Sequence, residues 1–526
     1  MKRILLITLL SFFNLSLFAQ LKQGAAAIGG KSGSVCYSII QAKDHGYAMA
    51  GCTNSYGAGN EDVYVVKLDS NGKLQWAKAI GGQNFDQGWV LIQTHDGGYV
   101  VIGRTASFGA GNQDVYVIKL DSAGNLKWTE TIGGSNNDNG YSIIETKDKG
   151  LAIAGMTNSF SIGSYDVYVI KLDSAGNLQW TRTVGGVGDD EGYSIIQARD
   201  GGYVIAGYTT SFGAGDDDVY VIKLDSVGNL QWTKVIGGTN VDLANSIVQA
   251  TDGGYLIGGS TGSYGLDMDM YVIKLDSLGN LKWTRTIGGP RNEMGLYMAT
   301  TNDKGYAIIG YTDSYGADSN DIYMVKLDSA GNLKLTRTIG TGATTNIAWG
   351  ITQTNDKGFA ITGWILSTTG STDACMIKLD SSSNTCLTTI NDSGRISSGG
   401  KVSSGGTITS KDSGIFGSGG KVNSGGVYTP ICGVESVNDI VAPENSVQVY
   451  PNPNNGVFTI EEQGISNKEY IEVYNMLGER VYRQPLRQAQ GDNHIDLSNN
   501  ADGVYLYRII TETGELVSEG KVIIQR

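Results

Sequence analysis

The sequence predicts an all-β chain: a seven-bladed β-propeller, then a Ser/Gly-rich linker and a small β-sandwich. Three observations carry this reading. A phrase seen as DVYVIKLDSAGNLQWT at 166–181 appears seven times. The aspartates of its KLD step (Asp69, Asp121, Asp173, Asp225, Asp276, Asp328, Asp380) are separated by 52, 52, 52, 51, 52 and 52 residues. A fixed period of that length belongs to stacked supersecondary units. Glycine is abundant at 76, proline scarce at 6, and short apolar runs alternate with turn signals rather than with helix-period patterns. Finally, one period divides into four short strands, the composition of a propeller blade.

Taking the fourth period in order, GYSIIQA (192–198) is the first strand and RDGG turns it back. YVIAGYT (203–209) is the second, DVYVIKLD (218–225) the third and LQWTKVIGG (230–238) the fourth. The Asp-Gly turn suits a tight primed hairpin. Asp225-Ser226-Val227-Gly228-Asn229 has the Asp-first, Gly-fourth order of a type I turn. The third strand is apolar almost without alternation, so both of its faces are buried between neighbouring sheets. Residues 21–30, LKQGAAAIGG, read as a fourth strand lacking its preceding three, while Thr385-Cys386-Leu387 is a degraded one. Residues 21–28 are therefore expected to supply the outer strand of the last blade and remove an open seam. The repeat resembles the kelch propeller repeat in its Tyr-Val-Ile-x-Gly second strand and fourth-strand Trp. It departs from kelch in keeping the double glycine only at Gly258-Gly259. The resemblance spans 21–386 and implies the fold, not an activity.

Composition bounds the function. A net charge of −13 argues against a nucleic-acid or anionic-membrane partner, since both need clustered Lys and Arg. Three histidines, two of them (His45, His95) in tight turns, give no metal spacing, and no nucleophile has a base partner. No catalytic residue is assigned. The preferred expectation is a binding or adhesion protein for a glycan, peptide or protein ligand. The alternative is an exported polysaccharide hydrolase or lyase with Asp190 and Glu293 as acid and base.

Binding is expected on the face that gathers the inter-blade loops, which vary between repeats while the DGG and DSAGN turns do not. A carboxylate recurs in those loops at Asp86, Asp138, Asp190, Asp242 and Glu293, and another precedes the third strand of every blade from Asp62 to Asp373. Turn capping explains both. Calcium coordination is the sharper alternative, although no loop matches a full calcium pattern, so no cofactor or metal is assigned. The column Trp76, Trp128, Trp180, Trp232 and Trp283 reads as inter-blade packing. Trp89, Trp349 and Trp364 break that column. Trp349, at the end of the longest inter-blade loop, joins the carboxylates as a candidate binding residue.

At the N-terminus, two basic residues, an apolar run from Ile4 to Phe18 and Ala19 read as a cleavable signal peptide at 1–19, and no later run is long enough to span a bilayer. The propeller is placed at 20–386, a flexible linker at 387–440, and a last domain at 441–526. Of five cysteines, Cys36 with Cys52 and Cys386 with Cys432 could form disulfides or remain buried thiols. Strand patterns resume at Val447 and read as an Ig-like β-sandwich. This tail resembles the C-terminal sorting domain of type IX secretion substrates of the Bacteroidota. The matching residues are Tyr450-Pro451-Asn452-Pro453, Gly456, Gly478, Gly503, Tyr505 and Lys521. The resemblance implies recognition by the type IX machinery and delivery through the periplasm and outer membrane to the cell surface or medium.

Overall fold

The computed structural model describes residues 24–384 apart from 30–31, 266, 316–319, 340–346 and 367–371, seven short strands between 388 and 432, and parts of 448–524. The expected signal peptide lies outside the described residues. The chain divides into two compact units, Met1–Val434 and Glu435–Arg526.

The first unit is a closed ring of seven antiparallel sheets. In the fourth blade the strands are Asp190–Gln197, Tyr203–Thr209, Asp218–Leu224 and Leu230–Gly237. First strands of successive blades touch around the axis. Ser34–Gln41 of blade 1 meets Ile347–Gln353 of blade 7, which closes the circle. The third strand Asp218–Leu224 is buried along its whole length, as its unbroken apolarity predicts. Each core lies between two blades: Val167, Val169 and Val184 pack with Ile195, Ile205 and Ile222.

The one polar residue inside the third strand explains the KLD step. Lys223 Nζ donates to the Leu224 carbonyl (3.1 Å) and reaches Asp200 of the preceding turn (2.9 Å). Equivalent ion pairs join Lys67 to Asp44, Lys119 to Asp96, Lys171 to Asp148, Lys274 to Asp252, Lys326 to Asp303 and Lys378 to Asp356. A Cβ at Gly202 would collide with both the Leu224 carbonyl and Lys223 Nζ, which fixes the second glycine of DGG.

That turn is not the primed hairpin expected. Gly201 donates to the Ala198 carbonyl (3.0 Å) and has φ +88°, while Asp200 does not have positive φ. It is a type I turn followed by one left-handed residue. In four blades that residue is not glycine: His45, Lys149, Lys304 and Lys357 have φ 65–67°. The DSAGN turn forms as expected, with Asp225 Oδ1 accepting from the Val227 and Asn229 amides. Its glycine also receives the Trp column: a Cβ on Gly124 (φ +79°) would sit 2.9 Å from Trp76 of the preceding blade.

Gly24–Gly29 pairs with Thr372–Leu379 and completes blade 7, as the orphan strand predicts. The Ser/Gly-rich segment departs from the expected spacer. Thr388–Thr389, Arg395–Ser397, Lys401–Ser403, Thr407–Thr409, Ile415–Gly417, Lys421–Ser424 and Val427–Cys432 each add a fifth, outermost strand to one blade. The blades have open outer edges whose amides and carbonyls accept such strands.

Cys36 and Cys52 are buried free thiols. Cys36 lies opposite Gly51 and Cys52 opposite Val35, so the two side chains leave on opposite faces. Cys386 lies outside the described residues.

In the second unit, Gln448–Tyr450, Val457–Glu461 and Asn493–Asp496 form one antiparallel sheet. Arg480–Pro485, Glu469–Tyr474, Gly503–Thr511 and Leu516–Ile524 form another. Phe458, Ile495, Ile471, Ile509 and Val522 share their core. Tyr505 donates its hydroxyl to the Ala501 carbonyl (2.7 Å), and Lys521 pairs with Leu506. Pro451, Asn452, Pro453, Gly456 and Gly478 lie outside the described residues.

Candidate functional site

Every first strand carries a β-bulge at one equivalent position. The bulged residues are Tyr37, Trp89, Tyr141, Tyr193, Asn245, Leu296 and Trp349. The cause is local. The preceding residue is small in every blade (Cys36, Gly88, Gly140, Gly192, Ala244, Gly295, Ala348) and faces a second-strand glycine. At Gly103, a Cβ would collide with the Gln87 carbonyl. Two backbones this close leave no space for the next side chain between them, and the bulge turns it toward the axis.

All seven bulged residues line one axial cavity of about 520 Å³, together with Gln87, Arg104 and Tyr297. Its wall is an arc of rings. Trp89 stacks on Tyr141 (centroids 5.0 Å, 27°), Tyr141 meets Tyr193 (4.9 Å), and Tyr193 meets Tyr208 (5.8 Å). Trp349 meets Tyr37 edge to face at 5.8 Å. The buried Trp349 Nε1–H has no acceptor among the described residues.

Polar groups are set into one side of this wall. The Arg104 guanidinium lies 5.1 Å from the Trp89 ring centre and donates to Gln87 Oε1 and Gln113 Oε1, both at 2.9 Å. Gln87 Nε2 in turn donates to Glu61 Oε2 (2.5 Å), and Cys52 Sγ–H to Glu61 Oε1 (2.9 Å). Glu191 accepts from the Tyr208 hydroxyl at 3.0 Å. Burial pushes its carboxyl above the usual range, although the tyrosine hydroxyls oppose that shift. The arrangement offers flat aromatic faces, a pinned guanidinium and several hydroxyl and amide groups to a single guest.

The carboxylates singled out from the loops lie elsewhere. Asp86, Asp138, Asp190, Asp242 and Glu293 are fully buried. Asp190 Oδ2 accepts from the Gly186 amide (2.6 Å) and the Ser211 hydroxyl (2.7 Å). Asp86 holds Gly82, Ser107 and Thr105 in the same way, and Glu293 holds Gly289 and Thr312. Their lone pairs fix the inter-blade loop, which leaves Asp190 and Glu293 sealed from any substrate. Among the described residues no group of three or more His, Cys, Asp or Glu is placed to hold a metal ion. Of the candidate residues only Trp349 reaches the cavity. Trp89 and Trp349 do not break the repeat: they occupy the same strand position as Tyr141 and Tyr193. The legible signal is the residue after the small one that opens each first strand.

Residues 448–525 match the family described as secretion system C-terminal sorting domain. Fold and tail thus define an exported repeat-propeller protein, addressed by type IX secretion to the cell surface or the medium. Over 243 residues the chain is 29% identical to the regulatory protein FlaEY of Caulobacter vibrioides, covering 41% of this chain. The chain spans 25% of that relative's length. Among solved structures it is similar to the extracellular domain of a B. thetaiotaomicron protein assigned as a one-component system (11% identity, TM-score 0.44, 97% of this chain and 59% of that one). It is also similar to a Dyadobacter fermentans protein of unknown function (12%, TM-score 0.38, 68% and 97%). Neither likeness bears on activity. Among the described residues no helix is long and apolar enough to cross a membrane.

Proposed function

We propose that this is an exported binding protein that takes a glycan in the axial cavity of its propeller. One observation carries the reading: five aromatic residues among the seven bulge positions converge on a single cavity. Its volume of about 520 Å³ suits a small ligand or one end of a longer chain. Aromatic faces bury the C–H faces of a sugar ring, and the polar groups beside them (Arg104, Gln87, Asn245) orient its hydroxyls. The Trp349 N–H, without an acceptor among the described residues, is a donor awaiting one, since a buried donor left unpaired costs free energy.

A glycan array probed with the full-length protein, followed by calorimetry, tests this. Trp89→Ala and Trp349→Ala should each weaken binding at least tenfold with little change in melting temperature, while Asp190→Asn should destabilise the ring rather than alter specificity. Unchanged affinity in both tryptophan variants would remove the cavity as the binding site. Bond cleavage that Glu191→Gln abolishes, with folding retained, would instead make this an enzyme.

A further inference from the structure

Six of the seven fifth strands obey one register; in the seventh, Thr388 takes the place opposite Ile339. Ile396 lies opposite Ile287, Val402 opposite Ile236, Ile408 opposite Val184, Phe416 opposite Ile132, Val422 opposite Ile80 and Tyr428 opposite Ile28. Those six partners are the same fourth-strand position in successive blades. Along the chain the added strands visit blades 6, 5, 4, 3, 2, 1 and 7, always stepping to the neighbour and running against the order in which the blades were made.

The sequence carries a matching code. Arg-Ile-Ser-Ser-Gly-Gly at 395–400, Lys-Val-Ser-Ser-Gly-Gly at 401–406, Ile-Phe-Gly-Ser-Gly-Gly at 415–420 and Lys-Val-Asn-Ser-Gly-Gly at 421–426 are copies of one six-residue unit, and Thr-Ile-Thr and Val-Tyr-Thr repeat only its first half. A lone three-residue strand has no stability of its own, and this composition cannot build a core. The segment forms strands only because the ring offers it seven edges. Joined in one chain, the seven weak pairings reinforce one another by proximity.

We propose that the propeller rim is a strand-acceptor surface selective for this six-residue unit, an apolar central residue followed by a small one and most often spaced by Gly-Gly. Residues 388–432 are its ligand within the same chain. Recognition is by strand addition: backbone pairing supplies the affinity and the central side chain sets the register. Since consecutive units sit on consecutive blades, the strap can be laid only on a closed ring, and it covers the edges that would otherwise pair with another molecule. The same unit supplied by a second molecule fits any vacated edge.

Hydrogen exchange on the full-length protein tests this. Val402→Pro removes a donor and fixes φ in the strand on blade 4. Amides of Val235–Gly237 should then exchange at least tenfold faster, while those of Thr131–Gly133 on blade 2 keep their rate. A variant carrying Ile396→Pro, Val402→Pro, Ile408→Pro, Phe416→Pro and Val422→Pro should lose protection on five rims, and a synthetic peptide of residues 395–424 should restore it saturably. Unchanged fourth-strand exchange in Val402→Pro, or a global loss of protection from that single change, would overturn the proposal. So would failure of the peptide to restore protection in the five-proline variant.

Discussion

The Asn355 backbone N–H donates to Gln41 Oε1 at 2.8 Å, joining two residues 314 apart in the sequence. It repeats, across the seam between blades 7 and 1, the bond that Lys43 makes to Gln93 and Lys147 to Gln197 between adjacent blades. Gln41→Ala should cost about 0.5–1 kcal/mol, as the loss of one solvent-exposed hydrogen bond does. Deleting residues 24–29 should cost more, because it bares the Thr372–Leu379 edge. Calorimetry and gel filtration should find a lower melting temperature and self-association in the deletion.

Asp166 should be a stabilising site. Its Oδ1 is buried with no hydrogen-bond partner among the described residues, and burial, then the Asp190 charge, pushes its carboxyl up to about 6. A raised carboxyl favours the fold below the unfolded value near 3.8 and loses that contribution as pH rises through 6. Asp166→Asn should therefore stabilise the protein by about 1–2 kcal/mol at pH 7 and flatten its stability profile between pH 4 and 6. Denaturant titrations at several pH values would show it.

The left-handed lysines predict a second gain. Lys304 and Lys357 hold φ 67° where other blades place glycine. Lys304→Gly and Lys357→Gly should each add about 0.5–1 kcal/mol, whereas Gly201→Ala should cost a similar amount. Thermal melts of the single variants and the double should agree with additivity, since the sites lie in different blades.

The Lys–Asp pairs set the acid limit. The Thr301 hydroxyl and the Lys326 ammonium hold Asp303 at about 2. A lowered carboxyl contributes stability above its unfolded value near 3.8 and loses it as pH falls toward 2. Solvent screens this exposed partner, so Asp303→Asn should cost only about 0.5–1 kcal/mol at pH 7, and the cost should fade as pH drops from 3.8 through 2. At blade 7, where Lys378 is fully buried, Asp356→Ala should cost more than Lys378→Met, because it strands a charge.

Metal removal should be silent. Asp86, Asp138, Asp190 and Asp242 already accept from backbone amides and from serine or threonine hydroxyls. A chelator should leave the melting temperature unchanged. A rise of several degrees in millimolar calcium would show that these carboxylates bind the ion.

Much of this molecule is written locally. The 52-residue spacing, the unbroken third strand, the DSAGN turn, the orphan strand copy at 21–30 and the sorting tail each follow from residues within one period or one domain, because turn chemistry and strand burial are short-range constraints. The cavity and the strap are different in kind. Trp89, Tyr141 and Tyr193 are 52 residues apart, and alternation along a strand reports which side chains are buried, not that a bulge turns one of them toward an axis shared by seven blades. The carboxylates drew notice because they recur, yet recurrence marked a loop-fixing role, while the column that lines the cavity varies in residue type from blade to blade. The Ser/Gly segment has no apolar signal of its own. Its strands exist because the ring presents open edges at a fixed spacing, and those edges arise only when distant blades have packed and the circle has closed.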